Sequence, residues 1–400
     1  MGKLQNIDRR DFLKKSSLCG LPFLLPVEHT NFLNNSEKIK DHQNAGDPIN
    51  FVFDGPHQSP KDYIELLTSI EKEQGIEADT YLKGGATKKL EEEFAKLTGK
   101  EKAIYMPSGT MANQLAIKML NGENPKVIVP ENSHIYRDEA DAAQSVHGLR
   151  LVPTGIDQAF FNLEDLQKTI RELDENEVFR SGLGTVVIEN PVRRAQGVAI
   201  PLENIKEISS YCKENGFKMH LDAARMHLAS AYTGVLPAEY SSHFDTVYIS
   251  LYKYLNAAGG AILCGDAEII DQMDHQIKIM GGTMYQSWSI TAVAMHYLQN
   301  IENSLNAVLK TSEELIKELN ELEEITICNI ENGTNIFQMD LDKNIDSEKF
   351  SRILYKEHQM LIFPNKENKM RFAANASLLN REISEIKNAW KLSLKKSKIN

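Results

Sequence analysis

Short apolar runs that alternate with amphipathic stretches are the feature that most restricts how this chain can fold. Six runs of four to six residues occur between residues 103 and 250: AIYM, KVIVP, LRLVP, TVVIE, FKMHLD and TVYIS. Stretches with helical spacing of apolar residues, such as MANQLAIKML and LEDLQKTIREL, separate them. Because the runs are apolar almost throughout, this order predicts a mainly parallel sheet covered by helices on both faces.

The pattern changes after residue 290. A long helical region is followed by the strand-like runs TNIFQMDL, MLIF and KMRFAA, with a helix expected near residues 346–357. This order predicts a smaller α+β domain. We therefore divide the chain into a large domain over residues 51–290 and a long helix with a small C-terminal domain over residues 291–400.

The first 27 residues resemble a twin-arginine export signal. Arg9 and Arg10 open the segment RRDFLK, and an apolar run of about a dozen residues follows. That run is too short to span a bilayer as a helix. A frayed basic N-terminus is the alternative interpretation. Residues 28–50 are polar and aperiodic, which predicts a linker or an N-terminal arm.

Charge and cysteine content restrict the partners and the compartment. The 45 basic and 56 acidic residues give a net charge of −11, which argues against nucleic acid as a partner. The cysteines, Cys19, Cys212, Cys264 and Cys328, are too few for a disulfide framework in 400 residues. We expect reduced thiols and folding before export. A periplasmic or exported protein without a membrane span is predicted, with a cytoplasmic location as the alternative.

Polar side chains follow several predicted strands at their carboxyl ends, where sheets of this kind bind ligands. Asp222 ends one strand, and Lys253 follows the next, just before a stretch rich in Ala and Gly. Each such residue alone is more often solvated than catalytic, but their shared position predicts a site. The remaining members are His134, Glu189, Asn190, Arg193, Arg194 and Arg225.

The loop PSGT, residues 107–110, lies between a predicted strand and a predicted helix. Its backbone N–H groups and two hydroxyls would face an anion at a helix N-terminus, which predicts a phosphate site. An ordinary capped loop is the alternative. A lysine for a Schiff base, a carboxylate for a pyridine nitrogen and a phosphate cradle are together what pyridoxal phosphate requires.

Several separated motifs occur in the order found in one enzyme family. The segments are YLKGGATKKLEEEFAKLTGKEKAIYMPSGTMANQLA, HIY…E, IENPVRRAQGVAIPLENI, HLDAARMHLA and SLYKYLNAAGGAIL. Over residues 50–380 the chain resembles the threonine aldolase and β-eliminating lyase family. The resemblance implies the aspartate aminotransferase-type fold (fold type I), with a mostly parallel seven-stranded sheet in the large domain. It also implies pyridoxal phosphate as cofactor, no metal, and a homodimer or homotetramer.

The resemblance implies roles for individual residues around the cofactor. Lys253 would form the Schiff base, and Asp222 would pair with the pyridinium nitrogen. His134 would stack on the ring and serve as a base. The phosphate would be bound by Ser108, Gly109 and Thr110.

Three further residues are implied to bind substrate or cofactor. Arg225 would reach the cofactor or the substrate carboxylate, and Arg371 would grip that carboxylate with its planar fork. Tyr81 would approach the cofactor of a neighbouring subunit; packing within the chain is the alternative.

The chain departs from the family pattern at Val192, Tyr285 and Phe53, where the family has a histidine, an arginine and a small hydroxyl residue. The cofactor residues are intact, while the aldehyde side of the pocket is altered. We expect a lyase that cleaves a β-hydroxy amino acid to glycine and an aldehyde. The alternatives are β-elimination or racemisation at the same site, or an exported binding protein without turnover.

Overall fold

The computed structural model describes residues 48–56 and 58–399, and these belong to one compact unit. The predicted signal, residues 1–27, lies outside the described residues, as does most of the predicted arm. The division of the remainder into two domains at residue 290 stays a prediction. Within the described ranges, no helix combines the length and apolar character needed to cross a membrane.

The described residues contain twelve strands, which form three sheets. The strands are β1 (Ile49–Asn50), β2 (Lys102–Met106), β3 (Lys126–Pro130), β4 (Arg150–Thr154), β5 (Leu183–Glu189), β6 (Lys218–Asp222), β7 (Thr246–Ser250), β8 (Ala261–Gly265), β9 (Ile325–Cys328), β10 (Ile336–Leu341), β11 (Met360–Leu361) and β12 (Lys369–Ala373).

The described residues also contain α-helices, many of which connect these strands. They are α1 (Pro60–Gln74), α2 (Gly85–Thr98), α3 (Gly109–Asn121), α4 (His134–Arg137), α5 (Ala142–His147), α6 (Leu163–Asn176), α7 (Leu202–Glu214), α8 (Met226–Thr233), α9 (Pro237–Ser241), α10 (Ala267–Ile270), α11 (Met273–Ile279), α12 (Trp288–Leu298), α13 (Ile301–Leu319), α14 (Ser347–His358) and α15 (Ile383–Lys396).

The large sheet has seven strands in the order β2-β8-β7-β6-β5-β3-β4. Strands β7, β6, β5, β3 and β4 are parallel to one another, while β8 pairs antiparallel with both β2 and β7. Strands β3, β7 and β8 are buried along their whole length. All six apolar runs form strands, so the predicted α/β class and the mostly parallel seven-stranded sheet are confirmed.

The small residues after Lys253 serve close packing. They lead into β8, and Gly260 has a φ of 88°, in the region that favours glycine. A Cβ atom added to Gly260 would lie 2.6 Å from the ring of Tyr105 on β2. The backbone therefore approaches a buried aromatic ring at a distance that a side chain would prevent.

The smaller sheet is antiparallel, in the order β12-β10-β9, and has a core of its own. Ile49 and Asn50, the last two residues of the predicted arm, form β1 and pair parallel with β11. Phe51 follows, and its ring centroid lies 5.2 Å from that of Trp390 and 4.8 Å from that of Phe372. The start of the described chain is thus held by the C-terminal part of the sequence.

Helix boundaries differ from the sequence pattern at one place. The long region after residue 290 forms two helices, α12 and α13, rather than one. Helix α2 has Gly84 as its N-cap, and the hydroxyl of Thr87 near its start lies 2.8 Å from that of Ser287. Helix α2 ends at Gly99, which has a left-handed φ of 66°.

The cysteines of the described residues are free thiols, as expected. Cys212 and Cys264 are buried, and Cys328 is exposed. Burial raises the pKa of both buried thiols to about 12, which keeps them protonated and unreactive.

Candidate active site

The register of three parallel strands brings the candidate residues together. Glu189 at the end of β5 lies opposite Asp222 at the end of β6, and Asp222 lies opposite Tyr248 on β7. Lys253 follows β7 by three residues. These side chains surround one small cavity, which is lined by His134, Glu189, Pro191, Arg193, Asp222, Ala224, Arg225, Tyr248 and Lys253.

Lys253 is buried, with 7% of its surface exposed. Burial and the nearby charge of Arg225 lower the pKa of its amine to about 7, against the opposing attraction of Asp54 and Asp222. An ordinary lysine is almost fully protonated at neutral pH, whereas this one is neutral in a substantial fraction of molecules. Its amine is therefore available as a nucleophile.

Asp222 lines the cavity and is 2% exposed. One carboxylate oxygen accepts a hydrogen bond from the side-chain amide of Asn113 at 3.0 Å, and the other accepts from the backbone N–H of Ala224 at 3.1 Å. Both oxygens of this buried side chain thus accept hydrogen bonds, which fixes the position of the carboxyl group. A carboxylate in this position suits a pyridinium partner.

Asn113 links Asp222 to His134 through Glu139. The Asn113 amide also donates to Glu139 at 2.8 Å, and the same Glu139 oxygen lies 3.0 Å from His134 Nδ1. Burial opposes protonation of His134, but Glu139 and the charge of Asp222 outweigh it, so the pKa of His134 is raised. The ligand atoms of His134, Glu139 and Asp222 lie within 4.8 Å of one another, an arrangement that could hold a metal ion and that these hydrogen bonds explain without one.

Arg225 forms a two-pronged ion pair with Asp54, with nitrogen–oxygen distances of 2.8 and 3.0 Å. The Tyr254 hydroxyl donates to the same carboxylate at 3.2 Å. Burial alone would favour the neutral form of each partner. The pair reverses this, because the pKa of Arg225 is raised and that of Asp54 is lowered. Arg225 lines the cavity but already has a carboxylate partner.

Arg371 lies on β12 of the small sheet. Burial, followed by repulsion from Arg225 and Arg193, lowers the pKa of Arg371 to about 10. The guanidinium remains charged at neutral pH. Arg371 does not line the cavity, although the charges of two cavity arginines act on it. Its contact to a substrate carboxylate stays a prediction.

The predicted phosphate loop lies at the N-terminus of α3. The Ser108 hydroxyl caps the helix by accepting from the N–H of Met111 at 3.2 Å. A Cβ atom on Gly109 would lie 2.1 Å from the hydroxyl of Tyr248, which lines the cavity. The glycine thus lets the loop, including Thr110, sit against the cavity wall, where helix N–H groups favour an anion.

Tyr81, Arg371 and the loop residues Ser108, Gly109 and Thr110 were predicted to bind cofactor or substrate but do not themselves line the cavity. Tyr81 is 56% exposed, its ring centroid lies 5.4 Å from that of Tyr285, and its N–H donates to the Tyr285 carbonyl at 2.8 Å. A second, larger cavity lies between α1, α2 and α12 and contains none of the predicted site residues.

Sequence reasoning missed Asp54 and Asn113 and gave no role to Glu139. Asp54 follows only the two-residue strand β1, and the other two do not directly follow a strand, so the strand-end rule did not select them. Asn113 is inside α3, and Glu139 follows His134 by five residues. For Asn113 and Glu139 the available signal was their closeness in sequence to a selected motif, PSGT for Asn113 and HIY for Glu139.

The residues present fit pyridoxal phosphate. A buried lysine with a lowered pKa, a buried carboxylate and a helix N-terminus, the kind of element that favours anions, converge at the carboxyl edge of one parallel sheet. The chain therefore has the fold and the site of a fold-type-I pyridoxal phosphate enzyme.

The comparison with known proteins gives the family. Residues 71–342, more than half of the chain, match the model of the beta-eliminating lyase family. The chain belongs to this family, and its cofactor is pyridoxal phosphate.

Individual relatives carry different activities. The low-specificity L-threonine aldolase of Candida albicans is 30% identical over 54% of this chain and 58% of its own length. An alanine racemase of Cochliobolus carbonum is 30% identical over 59% of each. The matched region thus spans about three fifths of each of these two curated relatives. A putative L-allo-threonine aldolase structure from Listeria monocytogenes has a TM-score of 0.72 and 20% identity, covering 88% of this chain and 97% of its own; at that identity it supports the fold.

Replacing Glu139 by glutamine tests the hydrogen-bonded network. Because Glu139 holds the pKa of His134 up, we expect Glu139→Gln to lower that pKa, so that the ring loses its proton at a lower pH. NMR titration of ¹³C-labelled histidine in the cofactor-free protein measures it. Asp141→Asn removes an exposed charge from the same segment and is the control. An unchanged His134 pKa in Glu139→Gln would contradict the network.

Proposed function

We propose that this chain is a pyridoxal phosphate-dependent lyase that cleaves β-hydroxy amino acids to glycine and an aldehyde. The observation that carries the proposal is the convergence of Lys253, Asp222 and His134 on one cavity in a member of this family. The threonine aldolases among its relatives favour cleavage of the Cα–Cβ bond.

The side chains suit this reaction. Lys253 would hold the cofactor aldehyde, Asp222 the proton on its ring nitrogen, and the Ser108–Thr110 loop its phosphate. The bound cofactor supplies an electron sink for the charge left at Cα when a bond to that atom breaks.

Proton handling falls to His134 and Lys253. His134 Nδ1 contacts Glu139, which leaves Nε2 to accept the β-hydroxyl proton. Glu139 then stabilises the imidazolium that forms. The Lys253 amine, with a pKa of about 7, can return a proton to Cα near neutral pH. Arg371 would hold the substrate carboxylate through charge-assisted hydrogen bonds.

Racemisation or β-elimination is the second candidate, because the same residues support breakage of a different bond to Cα or Cβ. The alanine racemase among the relatives favours it, and the fold alone does not discriminate. A binding protein without turnover is disfavoured because Lys253 and Asp222 line the same cavity, and a site without chemistry needs neither of them.

A substrate panel tests the proposed reaction. Glycine with aldehyde is expected from one or more β-hydroxy amino acids, whereas β-elimination would give pyruvate or another oxo acid and ammonia. Lys253→Ala is expected to lower kcat/KM by about 10³-fold or more, because it removes the covalent anchor. Lys278→Ala, at an exposed lysine of α11, is the matched control. Absence of glycine from every β-hydroxy substrate would contradict the aldolase assignment.

We propose that the chain is exported through the twin-arginine route after folding. The support is the segment RRDFLK with its short apolar run. In a bacterial host with this pathway, periplasmic fractions are expected to contain the wild-type chain but not the double variant Arg9→Lys and Arg10→Lys. Lys38→Arg with Lys40→Arg, in the predicted arm, is the control. Equal export of the wild-type chain and of the double variant Arg9→Lys and Arg10→Lys would contradict this route.

We propose that the protein is a homodimer or homotetramer. The support is the pair of exposed rings, Tyr81 and Tyr285, which are 56% and 63% exposed; contact with a neighbouring subunit would cover them. Light scattering is expected to give at least twice the mass of one chain, and Tyr81→Ala with Tyr285→Ala to weaken assembly. Phe179→Ala removes a ring that is 92% exposed elsewhere and is the control. A monomer with full activity would contradict assembly.

A further inference from the structure

Asn113, inside α3, is fully buried between two acidic side chains. Its side-chain nitrogen donates to Glu139 at 2.8 Å and to Asp222 at 3.0 Å. An amide nitrogen carries two hydrogens, and these two contacts use both of them. Because a carboxylate offers only acceptor atoms, turning the amide over would place its oxygen against two carboxylates without any hydrogen bond. The Asn113 amide therefore has one favourable orientation.

The amide oxygen of Asn113 contacts a histidine that lies outside the cavity lining. His220 is on β6, two residues before Asp222, and it is fully buried. Its Nε2 lies 3.0 Å from Asn113 Oδ1. An amide oxygen only accepts hydrogen bonds, so Nε2 must carry a proton in this contact. Without that donor the buried amide oxygen would be left unsatisfied, which is costly.

The other ring nitrogen of His220 contacts strand β7. Thr246 lies opposite His220 in the register of β6 and β7, and its hydroxyl lies 2.8 Å from His220 Nδ1. Burial lowers the pKa of His220 to about 4, so the ring is neutral near neutral pH and carries a single proton. With that proton on Nε2, Nδ1 accepts a hydrogen bond and the Thr246 hydroxyl donates it.

These contacts form one series of hydrogen bonds with a defined direction. The series runs from the Thr246 hydroxyl through the His220 ring to the Asn113 amide. The amide then donates to both Asp222 and Glu139. All of these side chains are buried, and each donor faces an acceptor. His220 therefore acts on two acidic groups that it does not hydrogen-bond itself.

We propose that His220 is a positioning residue for the cofactor ring: as the Nε2–H tautomer it fixes the Asn113 amide, which holds the Asp222 carboxylate in place for the ring nitrogen. The inference rests on the role of Asp222 in the proposed function and is independent of which substrate bond breaks. The remaining donor to Asp222, the N–H of Ala224, holds only one of its two oxygens. Because hydrogen bonds weaken steeply when their angle is poor, a displaced carboxylate would bind the ring nitrogen less well.

Nitrogen NMR of the cofactor-free protein tests the tautomer. With ¹⁵N-labelled histidine, His220 is expected at neutral pH to have a protonated Nε2 and an unprotonated Nδ1. Its signals are assigned by their absence from the spectrum of His220→Gln. A proton on Nδ1 alone would overturn the proposal, because Nε2 could then not donate to Asn113.

A cofactor analogue separates positioning from a purely structural role. In this analogue of pyridoxal phosphate, C–H replaces the ring nitrogen, so the aldehyde and phosphate remain while the contact to Asp222 is lost. Titration of the cofactor-free wild-type protein, followed by absorbance, is expected to show at least about tenfold tighter binding of pyridoxal phosphate than of the analogue. His220→Leu is expected to lower this ratio by at least about fivefold, because it leaves the Asn113 amide free to turn.

Two variants serve as rescue and control. His220→Gln keeps an N–H group for Asn113 and is expected to hold the ratio within about twofold of the wild-type value. His227→Leu removes another buried histidine, from α8, and is expected to retain the ratio. If His220→Leu does not fold, Thr246→Val replaces it. Valine removes the hydroxyl that fixes the tautomer and should lower the ratio by about twofold or more, whereas Thr246→Ser should retain it.

An unchanged ratio in His220→Leu, or in Thr246→Val where that variant replaces it, would overturn the proposal. Equal weakening of both cofactors is one such result, because it assigns the histidine to the fold alone. Wild-type protein that binds both cofactors equally would contradict the role of Asp222 and the inference with it. Glycine release is measured separately. The predicted tautomer and ratios without glycine from any β-hydroxy substrate would retain this inference and remove the aldolase.

Discussion

The register of the parallel strands β5, β6 and β7 is the constraint on which the site depends. Parallel strands all present their carboxyl ends at one edge, so Glu189, Asp222 and the segment leading to Lys253 must meet there. A shift of one residue in β6 would turn Asp222 away from this face. Burial on both sides of the sheet opposes such a shift, because each strand is packed against helices as well as against its neighbours.

Charged groups are buried around this edge, although burying a charge ordinarily lowers the stability of the folded state. Isolated buried charges are costly, and the chain satisfies them in pairs and networks. Asp54 neutralises Arg225, and Asn113 joins Asp222 to Glu139 and His134. Lys253 is the contrasting case. Nearby carboxylates do not fully offset the effect of burial on its amine, and its pKa is lowered to about 7. Perturbation of this kind is typical of catalytic groups.

The sequence was sufficient to predict the elements that depend on local pattern. The six apolar runs form strands. Asp222, Lys253, His134 and Arg225 line one cavity because the carboxyl ends of parallel strands meet at the same edge of the sheet. Partners supplied by distant segments were not predictable in this way. Asp54 pairs with a residue 171 positions away, and neither periodicity nor spacing encodes that contact. Arg193 lines the cavity, whereas Arg194 is partly exposed and pairs with Asp138. This difference depends on packing after β5 and could not be predicted from two adjacent residues of the same type.

The account's central claim is that the Lys253 amine carries the cofactor covalently. Borohydride reduction of the purified holoenzyme, followed by proteolysis and mass spectrometry, tests it directly. The account predicts one stable pyridoxyl adduct, located on Lys253, and loss of the yellow absorbance in proportion to it. An adduct on a different lysine, or a protein that binds pyridoxal phosphate without any reducible link, would contradict the claim.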